Sequence, residues 1–410
     1  MKNLSTQPYK GVRDFYPDDM AVQQYIFGVW AETAESFGYE RYDASVLEPA
    51  ELYEEKAAEN AEMVNEQTYT FTDRGDRKVT LRPEMTPSVA RMIAGKQKEL
   101  SFPVRWYSIP NLFRYERAQK GRLREHWQLN CDIFGSDEIV ADIEIISLAY
   151  QVFLNFGAEP SLFEIKINDR KWLDSVLHKE GLNPDQRKEM IALLDRKEKI
   201  DNFEEEATKI AGKPINLTSE PGDDSDAKKV IAGLKQLGIH NVSFSASTVR
   251  GFNYYTGVVF EIFDTSGENK RSLLGGGRYD NLTELFGGAS VPGVGFGLGD
   301  VTVRDWLETH NLLTANIGAP DITIMPVESE QNLVAEQVAQ ELRSAGLRVS
   351  VDFSDRKVGK KLSQAAARFV AFALIVGEEE VASQRYTLKN LTEEDEISGT
   401  LPELIEQLIG

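Results

Sequence analysis

Residues 113–117 have the sequence Phe113-Arg114-Tyr115-Glu116-Arg117, followed by a basic, glycine-containing loop that leads to Gln128 and Asp132. Charged residues occupy alternating positions, which in a strand places their side chains on one face. Arginine presents a planar fork of donors that fits phosphate oxygens, and it keeps its charge at any working pH. The stretch predicts a surface that binds a polyanion together with a charged small molecule. Taken alone, a charged hairpin on a solvated surface is the simpler interpretation.

Three further motifs accompany this stretch in a fixed order. Leu81-Arg82-Pro83-Glu84-Met85-Thr86 precedes it, and Arg250-Gly251-Phe252-Asn253-Tyr254-Tyr255-Thr256-Gly257 and Gly275-Gly276-Gly277-Arg278-Tyr279-Asp280 follow it. In this combination the motifs resemble the class II aminoacyl-tRNA synthetases and, within them, the histidyl-tRNA synthetase family. The resemblance runs from Gly11 nearly to the C-terminus and is weakest between about residues 171 and 240. A protein of this family is an aminoacyl-tRNA ligase.

Length and composition are consistent with a cytoplasmic globular protein. A chain of 410 residues predicts two or three domains, and 41% hydrophobic with 27% charged residues is typical of soluble proteins. No apolar run approaches the length of a membrane span, and the N-terminus lacks the apolar core of a secretion signal. The single cysteine, Cys131, suits a reducing compartment. The net charge of −20 argues against a nucleic-acid partner, but residues 114–124 and 356–361 are locally basic.

The periodicity predicts an α+β fold: a largely antiparallel sheet with flanking helices, interrupted by a charged helical segment. We expect helices over 18–38 and 137–156 and strands at 104–109, 111–117, 127–134, 163–168, 257–263 and 291–298. Beyond a linker at 317–320, strands and helices alternate, which predicts an α/β domain with a largely parallel sheet. The resemblance implies an anticodon-binding domain there. The predicted divisions are 1–168 and 241–316 for the catalytic domain, 169–240 for the helical insertion and 317–410 for the anticodon-binding domain.

The resemblance also implies how the first reaction is catalysed. The carboxylate of the amino acid attacks the α-phosphorus of ATP, so positive charge must be fixed where negative charge accumulates. Arg114 and Arg250 are the predicted catalytic residues, and Mg²⁺ on the ATP phosphates is expected to share the charge. The expected ATP-binding residues are Arg114, Glu116, Arg122, His126, Gly297 and Gly299.

L-histidine as the substrate requires a carboxylate for its ammonium group and hydrogen-bonding partners for both ring nitrogens. The resemblance assigns the ammonium to Glu84 with help from Thr86. The full set of expected histidine-binding residues is Glu84, Thr86, Arg114, Gln128, Asp132, Arg250, Tyr254 and Tyr255. No direct protein ligand for a metal ion is predicted.

The second predicted reaction transfers histidine to the 3′-terminal ribose of tRNA-His. The loop over residues 118–123 is expected to contact the acceptor end, and the C-terminal domain the anticodon. Pro49 matches a proline that the family places at its dimer interface, so a twofold homodimer is predicted.

One motif departs from the family pattern. The third class II motif should end with an arginine that packs on ATP, but Thr302 occupies that position. Arg304, two residues further along the helix, would face elsewhere. The Gly299-Asp300 ending resembles a minority branch of the family. A histidine-binding paralogue that charges no tRNA, such as a regulatory subunit of ATP phosphoribosyltransferase, is the alternative; a plain RNA-binding module would not explain the histidine motifs.

Overall fold

The computed structural model describes residues 4–54, 67–116, 121–195, 197, 200, 202–215, 220–249, 254–269, 271–313, 316–393 and 395–409. The chain forms two compact units. The larger comprises Met1–Tyr16 and Gln23–Leu312, and the smaller comprises Pro17–Val22 and Leu313–Gly410.

The described residues of the larger unit form twelve strands. In chain order they are β1 (Glu40–Arg41), β2 (Leu47–Pro49), β3 (Tyr69–Thr72), β4 (Lys78–Leu81), β5 (Val104–Ser108), β6 (Asn111–Phe113), β7 (Glu125–Phe134), β8 (Phe163–Asp169), β9 (Val242–Phe244), β10 (Val258–Asp264), β11 (Ser272–Arg278) and β12 (Gly293–Gly299). One sheet has the order β1-β5-β7-β12-β11-β10-β8-β9, with β6 paired to β7, and a second has the order β2-β4-β3. All pairs from β5 to β8 in the large sheet are antiparallel, as predicted.

Helices cover the large sheet with apolar faces. Among the described residues before Leu313 and outside the segment 170–240, the α-helices are Pro17–Ser36, Glu51–Glu54, Thr86–Lys96, Ile139–Asn155 and Asp300–Thr309. Ile145, Leu148 and Val152 of the long central helix are fully buried. The two predicted helices are both present, and glycines with positive φ, Gly38 (+79°) and Gly157 (+84°), follow their C-termini.

The described residues of the segment predicted to be helical form four α-helices, Arg170–Lys179, Pro184–Asp195, Phe203–Ala211 and Asp226–Gln236. The first three share a small apolar core that includes Leu173, Leu177, Met190 and Ala207. The fourth packs instead against the helix Ile139–Asn155 of the main domain.

The smaller unit is an α/β domain with a mixed sheet. Its described strands are β13 (Ile322–Pro326), β14 (Val349–Val351), β15 (Phe372–Val376), β16 (Tyr386–Asn390) and β17 (Glu396–Gly399), in the order β14-β13-β15-β16-β17. Only the pairs of β13 with β14 and β15 are parallel, so the prediction of a largely parallel sheet was wrong for half of it. The helices are Asn332–Ser344, Val358–Ala367, Glu378–Ser383 and Leu401–Ile409. The predicted α+β class is confirmed.

Lys361 has a structural role in the smaller unit. Only 3% of this residue is exposed, and its Nζ donates hydrogen bonds to the carbonyl oxygens of Pro326 (2.9 Å) and Asp352 (3.0 Å). A buried ammonium requires such partners. Lys361 therefore joins the helix Val358–Ala367 to β13, and it is not part of the basic surface.

Candidate active site

A cavity of about 210 Å³ opens on the large sheet between β7, β11 and β12. Seven of the residues predicted from the sequence line it: Arg114, Glu116, Arg122, His126, Gln128, Gly297 and Gly299. The remaining wall comes from β11 and from the first turn of the helix Asp300–Thr309. Val301 and Thr302 of that first turn line the cavity, so the N-terminal, positive end of the helix dipole lies at its wall and favours an anionic ligand.

Three cationic or anionic side chains give this cavity its charge. Arg114 is held by a 2.8 Å hydrogen bond from Nε to the carbonyl oxygen of Pro83, so its position is fixed by the segment before the helix Thr86–Lys96. Burial lowers the pKa of Arg114, which Glu116 and Glu84 partly offset. Arg122 and Glu116 bond each other at 2.7 Å. Two side chains that were both predicted to bind ATP therefore form an ion pair with each other.

His126 adds a neutral ring to this cationic site. Its pKa is lowered to about 3, first because the side chain is buried and then because the charges of Arg114, Arg13 and Arg122 oppose its protonation. At neutral pH the imidazole is uncharged. It can stack on a flat aromatic ligand without adding a further positive charge.

The glycines of β12 allow polar side chains of β7 to lie flat against the sheet. Gly295 and Gly297 pair with Asp132 and Asn130, and Gly299 pairs with Gln128. A Cβ atom on Gly297 would lie 2.6 Å from the Gln128 amide nitrogen, and one on Gly295 would collide with the Asp132 carboxylate. The glycine-rich strand is therefore required by the site residues opposite it.

A second polar group lies deeper in the sheet. Asp132 is only 4% exposed, and the Tyr279 hydroxyl donates a hydrogen bond to its carboxylate. Burial raises the pKa of Asp132 to about 7, although the hydrogen bond from Tyr279 lowers it. The Tyr254 hydroxyl donates to Glu84 Oε2 at 3.4 Å, and the charge of Glu84 also acts on Arg114.

The remaining predicted residues have different environments. Tyr255 is buried in an apolar cluster, where its ring is 6.4 Å from that of Tyr279. Thr86 begins the helix Thr86–Lys96, next to the chain that carries Glu84. Pro49 is exposed at the end of β2. Arg250 lies outside the described residues, as does part of the loop over 118–123.

Sequence reasoning missed two groups that support the site. Tyr279 belongs to a quoted motif, but nothing in the sequence indicates that its hydroxyl meets Asp132, 147 positions away. Arg13 donates to Asp300 Oδ2 at 2.6 Å, and the other oxygen of Asp300 accepts from the Trp127 amide at 2.9 Å. This buried pair fixes the first turn of the helix Asp300–Thr309 against β7.

Comparison with known proteins identifies the family. The family model described as histidyl-tRNA synthetase matches residues 11–300, which contain all the lining residues of the cavity except Val301 and Thr302. The chain belongs to the histidyl-tRNA synthetase family. A second family model, described as an anticodon binding domain, matches residues 321–410.

Individual relatives agree with this assignment over the full length. A histidine–tRNA ligase of Leptospira biflexa is 41% identical, with 99% of this chain and 98% of the relative covered. A histidine–tRNA ligase of Thermoplasma volcanium is 36% identical, with 98% of each covered. The crystal structure of histidyl-tRNA synthetase from Nostoc sp. PCC 7120 shares the fold, with a TM-score of 0.84, 23% identity and 99% of both chains covered.

The family comparisons also decide between the alternatives considered from sequence. A Bacillus halodurans structure described as an ATP phosphoribosyltransferase regulatory subunit/histidyl-tRNA synthetase has a TM-score of 0.70 at 22% identity and covers 88% of this chain. The match to an anticodon binding domain and the full-length ligase relatives do not favour the regulatory alternative. The predicted aminoacyl-tRNA ligase class is therefore confirmed.

The described residues contain neither a membrane-spanning helix nor a cluster of metal-binding side chains. Across the described ranges, every helix is too short or too polar to cross a bilayer. Within the same residues, His, Cys, Asp and Glu side chains do not assemble into a group of three that could hold a metal ion.

Proposed function

We propose that this chain activates L-histidine with ATP, forming histidyl-adenylate and pyrophosphate, and then transfers histidine to the 3′ end of tRNA-His. The observation that carries the proposal is the single cavity that gathers Arg114, Glu116, Arg122, His126 and Gln128 in a member of this family. A cavity with these donors suits a nucleotide and an amino acid side by side.

Activation joins two anions, so electrostatics carry the reaction. The histidine carboxylate attacks the α-phosphorus, a bond forms between them, and pyrophosphate leaves with the electron pair of the broken P–O bond. Arg114 would stabilise the charge that develops on the α-phosphate, because it is half-buried and held by Pro83. Arg250 is proposed for the same role on the strength of its motif alone. The attacking carboxylate is already ionised, so the step requires no general base.

Binding of ATP is proposed to separate Arg122 from Glu116. Glu116 would then accept a hydrogen bond from the adenine amino group, while Arg122 would move to the γ-phosphate. The neutral ring of His126 would stack on adenine. Glu116 is the lining carboxylate of the cavity among the described residues. Mg²⁺ would therefore arrive on the phosphates of ATP, where it neutralises charge on the pyrophosphate leaving group.

Histidine is proposed to bind between β7 and the segment that carries Glu84. Glu84 and the Tyr254 hydroxyl already contact each other and would receive the ammonium group. Gln128 and Asp132 would satisfy the ring nitrogens, with Tyr255 behind them and Thr86 near the ammonium. An amino acid whose side chain lacks ring N–H groups would leave Asp132 buried without a partner other than Tyr279, which disfavours its binding.

Contact with the anticodon is proposed for an exposed surface of the smaller unit. Arg356, Lys357 and Lys360 are all exposed at the start of the helix Val358–Ala367, and Phe353 is exposed beside them. Cations and an aromatic ring suit a single-stranded RNA loop, whose phosphates and unstacked bases they can bind.

We propose that the protein is cytosolic and forms a homodimer. The dimer is inferred from an apolar surface on the small sheet. Pro49 and Leu47 of β2 are exposed, the latter by 41%, and Phe71 of β3 is 49% exposed. Both strands are edges of a three-stranded sheet. Covering these edges with a second copy would bury the apolar side chains and protect unpaired strand backbone.

Amino-acid-dependent exchange of pyrophosphate into ATP tests the first reaction. Histidine should support exchange, whereas phenylalanine and glutamine at the same concentration should not. An Arg114→Gln variant should retain its fold and lose at least about a hundredfold in rate, as expected for removal of one transition-state donor. Equal exchange with the three amino acids would contradict the proposed substrate.

A further inference from the structure

Thr302 leaves a gap in the positive charge of the cavity. Its Oγ1 donates to the carbonyl oxygens of Gly299 (3.0 Å) and Leu273 (3.4 Å), and its methyl group faces Gly121 across the cavity. It is therefore a neutral part of the wall. Arg304, a cation two residues further along the helix, bonds Glu308 at 2.9 Å on the helix surface. It therefore does not compensate for the missing charge.

Arg271 stands at the edge of the same wall. It immediately precedes Ser272, Leu273 and Leu274 of β11, and all three line the cavity. The carbonyl that Thr302 contacts belongs to Leu273, two positions from Arg271. Position 271 therefore lies two residues along the chain from the point where Thr302 contacts β11.

Arg271 precedes the lining residues of β11 and is close enough to two charged lining side chains to interact with them electrostatically. Loss of solvent lowers the pKa of Arg271, the charge of Arg122 lowers it further, and that of Glu116 opposes this. Both of these residues line the cavity, so the three side chains share one electrostatic environment. Within the described ranges, Arg122 is neutralised by Glu116, whereas the guanidinium of Arg271 has neither an ion pair nor a hydrogen bond.

Two guanidinium groups that repel each other electrostatically are stabilised when an anion binds both. The polyphosphate of ATP is such an anion, and guanidinium groups bind phosphate oxygens through paired hydrogen bonds. We propose that Arg271 binds the polyphosphate of ATP, supplying from β11 the positive charge that Thr302 does not provide. The inference rests on the proposed activation of histidine by ATP and adds an ATP-binding residue to it.

Steady-state ATP–pyrophosphate exchange on the full-length protein tests this role. Arg271→Gln should raise KM for ATP by about 10- to 100-fold, the effect of losing a charged hydrogen bond, and leave KM for histidine within twofold. Arg271→Lys should fall between Arg271→Gln and the native protein. Arg304→Gln is the matched control, since it removes an arginine of the nearby helix Asp300–Thr309 that does not line the cavity, and its KM for ATP should be unchanged.

Competition by adenosine separates phosphate binding from a general effect on the shape of the cavity. If Arg271 contacts phosphate, the inhibition constant of adenosine against ATP should be the same in the native protein and Arg271→Gln. An unchanged KM for ATP in Arg271→Gln would overturn the inference, and so would equal losses for ATP, adenosine and histidine. Absence of exchange in the native protein would instead refute the proposed activity on which the inference rests.

Discussion

Replacing Asp132 with asparagine should stabilise the protein at alkaline pH. The folded protein raises the pKa of this carboxyl group from its ordinary value of 3.8 to about 7, because the side chain is buried in the sheet. Below about pH 4 the group is protonated in both the folded and the unfolded states and costs nothing. As the pH rises to about 7 only the unfolded state ionises, so the free energy of unfolding falls.

The magnitude follows from the difference between the two pKa values. A difference of about three pH units, at about 1.4 kcal/mol for each, gives a cost on the order of 4 kcal/mol once the pH exceeds 7. Because the isoelectric point is about 4.8, a practical titration begins at pH 5.5. Between pH 5.5 and 8, the free energy of unfolding of Asp132→Asn minus that of the native protein should increase by about 2 kcal/mol and then become constant.

Urea unfolding followed by tryptophan fluorescence measures this difference in the relevant unit. All five tryptophans, from Trp30 to Trp306, belong to the larger unit. Tyr279→Phe provides an internal check. Removing the hydroxyl that lowers the pKa of Asp132 should move the levelling-off point above pH 7. A difference between Asp132→Asn and the native protein that is constant from pH 5.5 to 8 would refute this reasoning.

Three further predictions concern catalysis, RNA binding and assembly. Arg250→Ala should reduce kcat/KM for exchange by about 3 kcal/mol in transition-state energy while changing histidine affinity less; equal losses in affinity and rate would make Arg250 a ground-state binder. Lys357→Glu and Lys360→Glu should each weaken tRNA binding and lower the slope of log KM for tRNA against log salt by about 1, with exchange unaffected; an unchanged slope would exclude these lysines from the RNA interface. Leu47→Glu should convert a dimer of twice 46.0 kDa into a monomer by light scattering, and a native protein that is already monomeric would contradict the proposed assembly.

The local sequence pattern was sufficient to predict most strands of the large sheet, but not a strand at its centre. The alternation in 127–134 and 163–168 predicted β7 and β8 because one face of each is apolar. The sequence predicted no strand over Ser272–Arg278, since three glycines carry no strand preference. In the structure it is a strand in the middle of the large sheet. Phe260 and Phe296 crowd position 276 so closely that a Cβ atom there would lie 2.7 Å from each, which explains the glycine. Such packing depends on distant segments and leaves no local signal.

In the site, too, sequence motifs identified residues but did not predict the contacts between their side chains. Site residues in two segments, 113–128 and 293–299, could be assigned from the resemblance, and the structure places seven of them around one cavity. The bond between Arg122 and Glu116 and the one from Tyr279 to Asp132 depend on side-chain positions that motifs do not specify. In the smaller unit, an antiparallel hairpin of β16 and β17 follows the parallel pairs. The sequence did not predict it, because the alternation of strands and helices does not indicate strand direction at the sheet edge.

Charging of a tRNA-His transcript by the purified protein, with ATP, Mg²⁺ and labelled histidine, tests the central claim most directly. The proposed function predicts histidine-dependent exchange followed by transfer of the label to tRNA-His, abolished in Arg114→Gln. It also predicts that transfer proceeds with the native Thr302. Histidine binding without exchange or charging would contradict the claim.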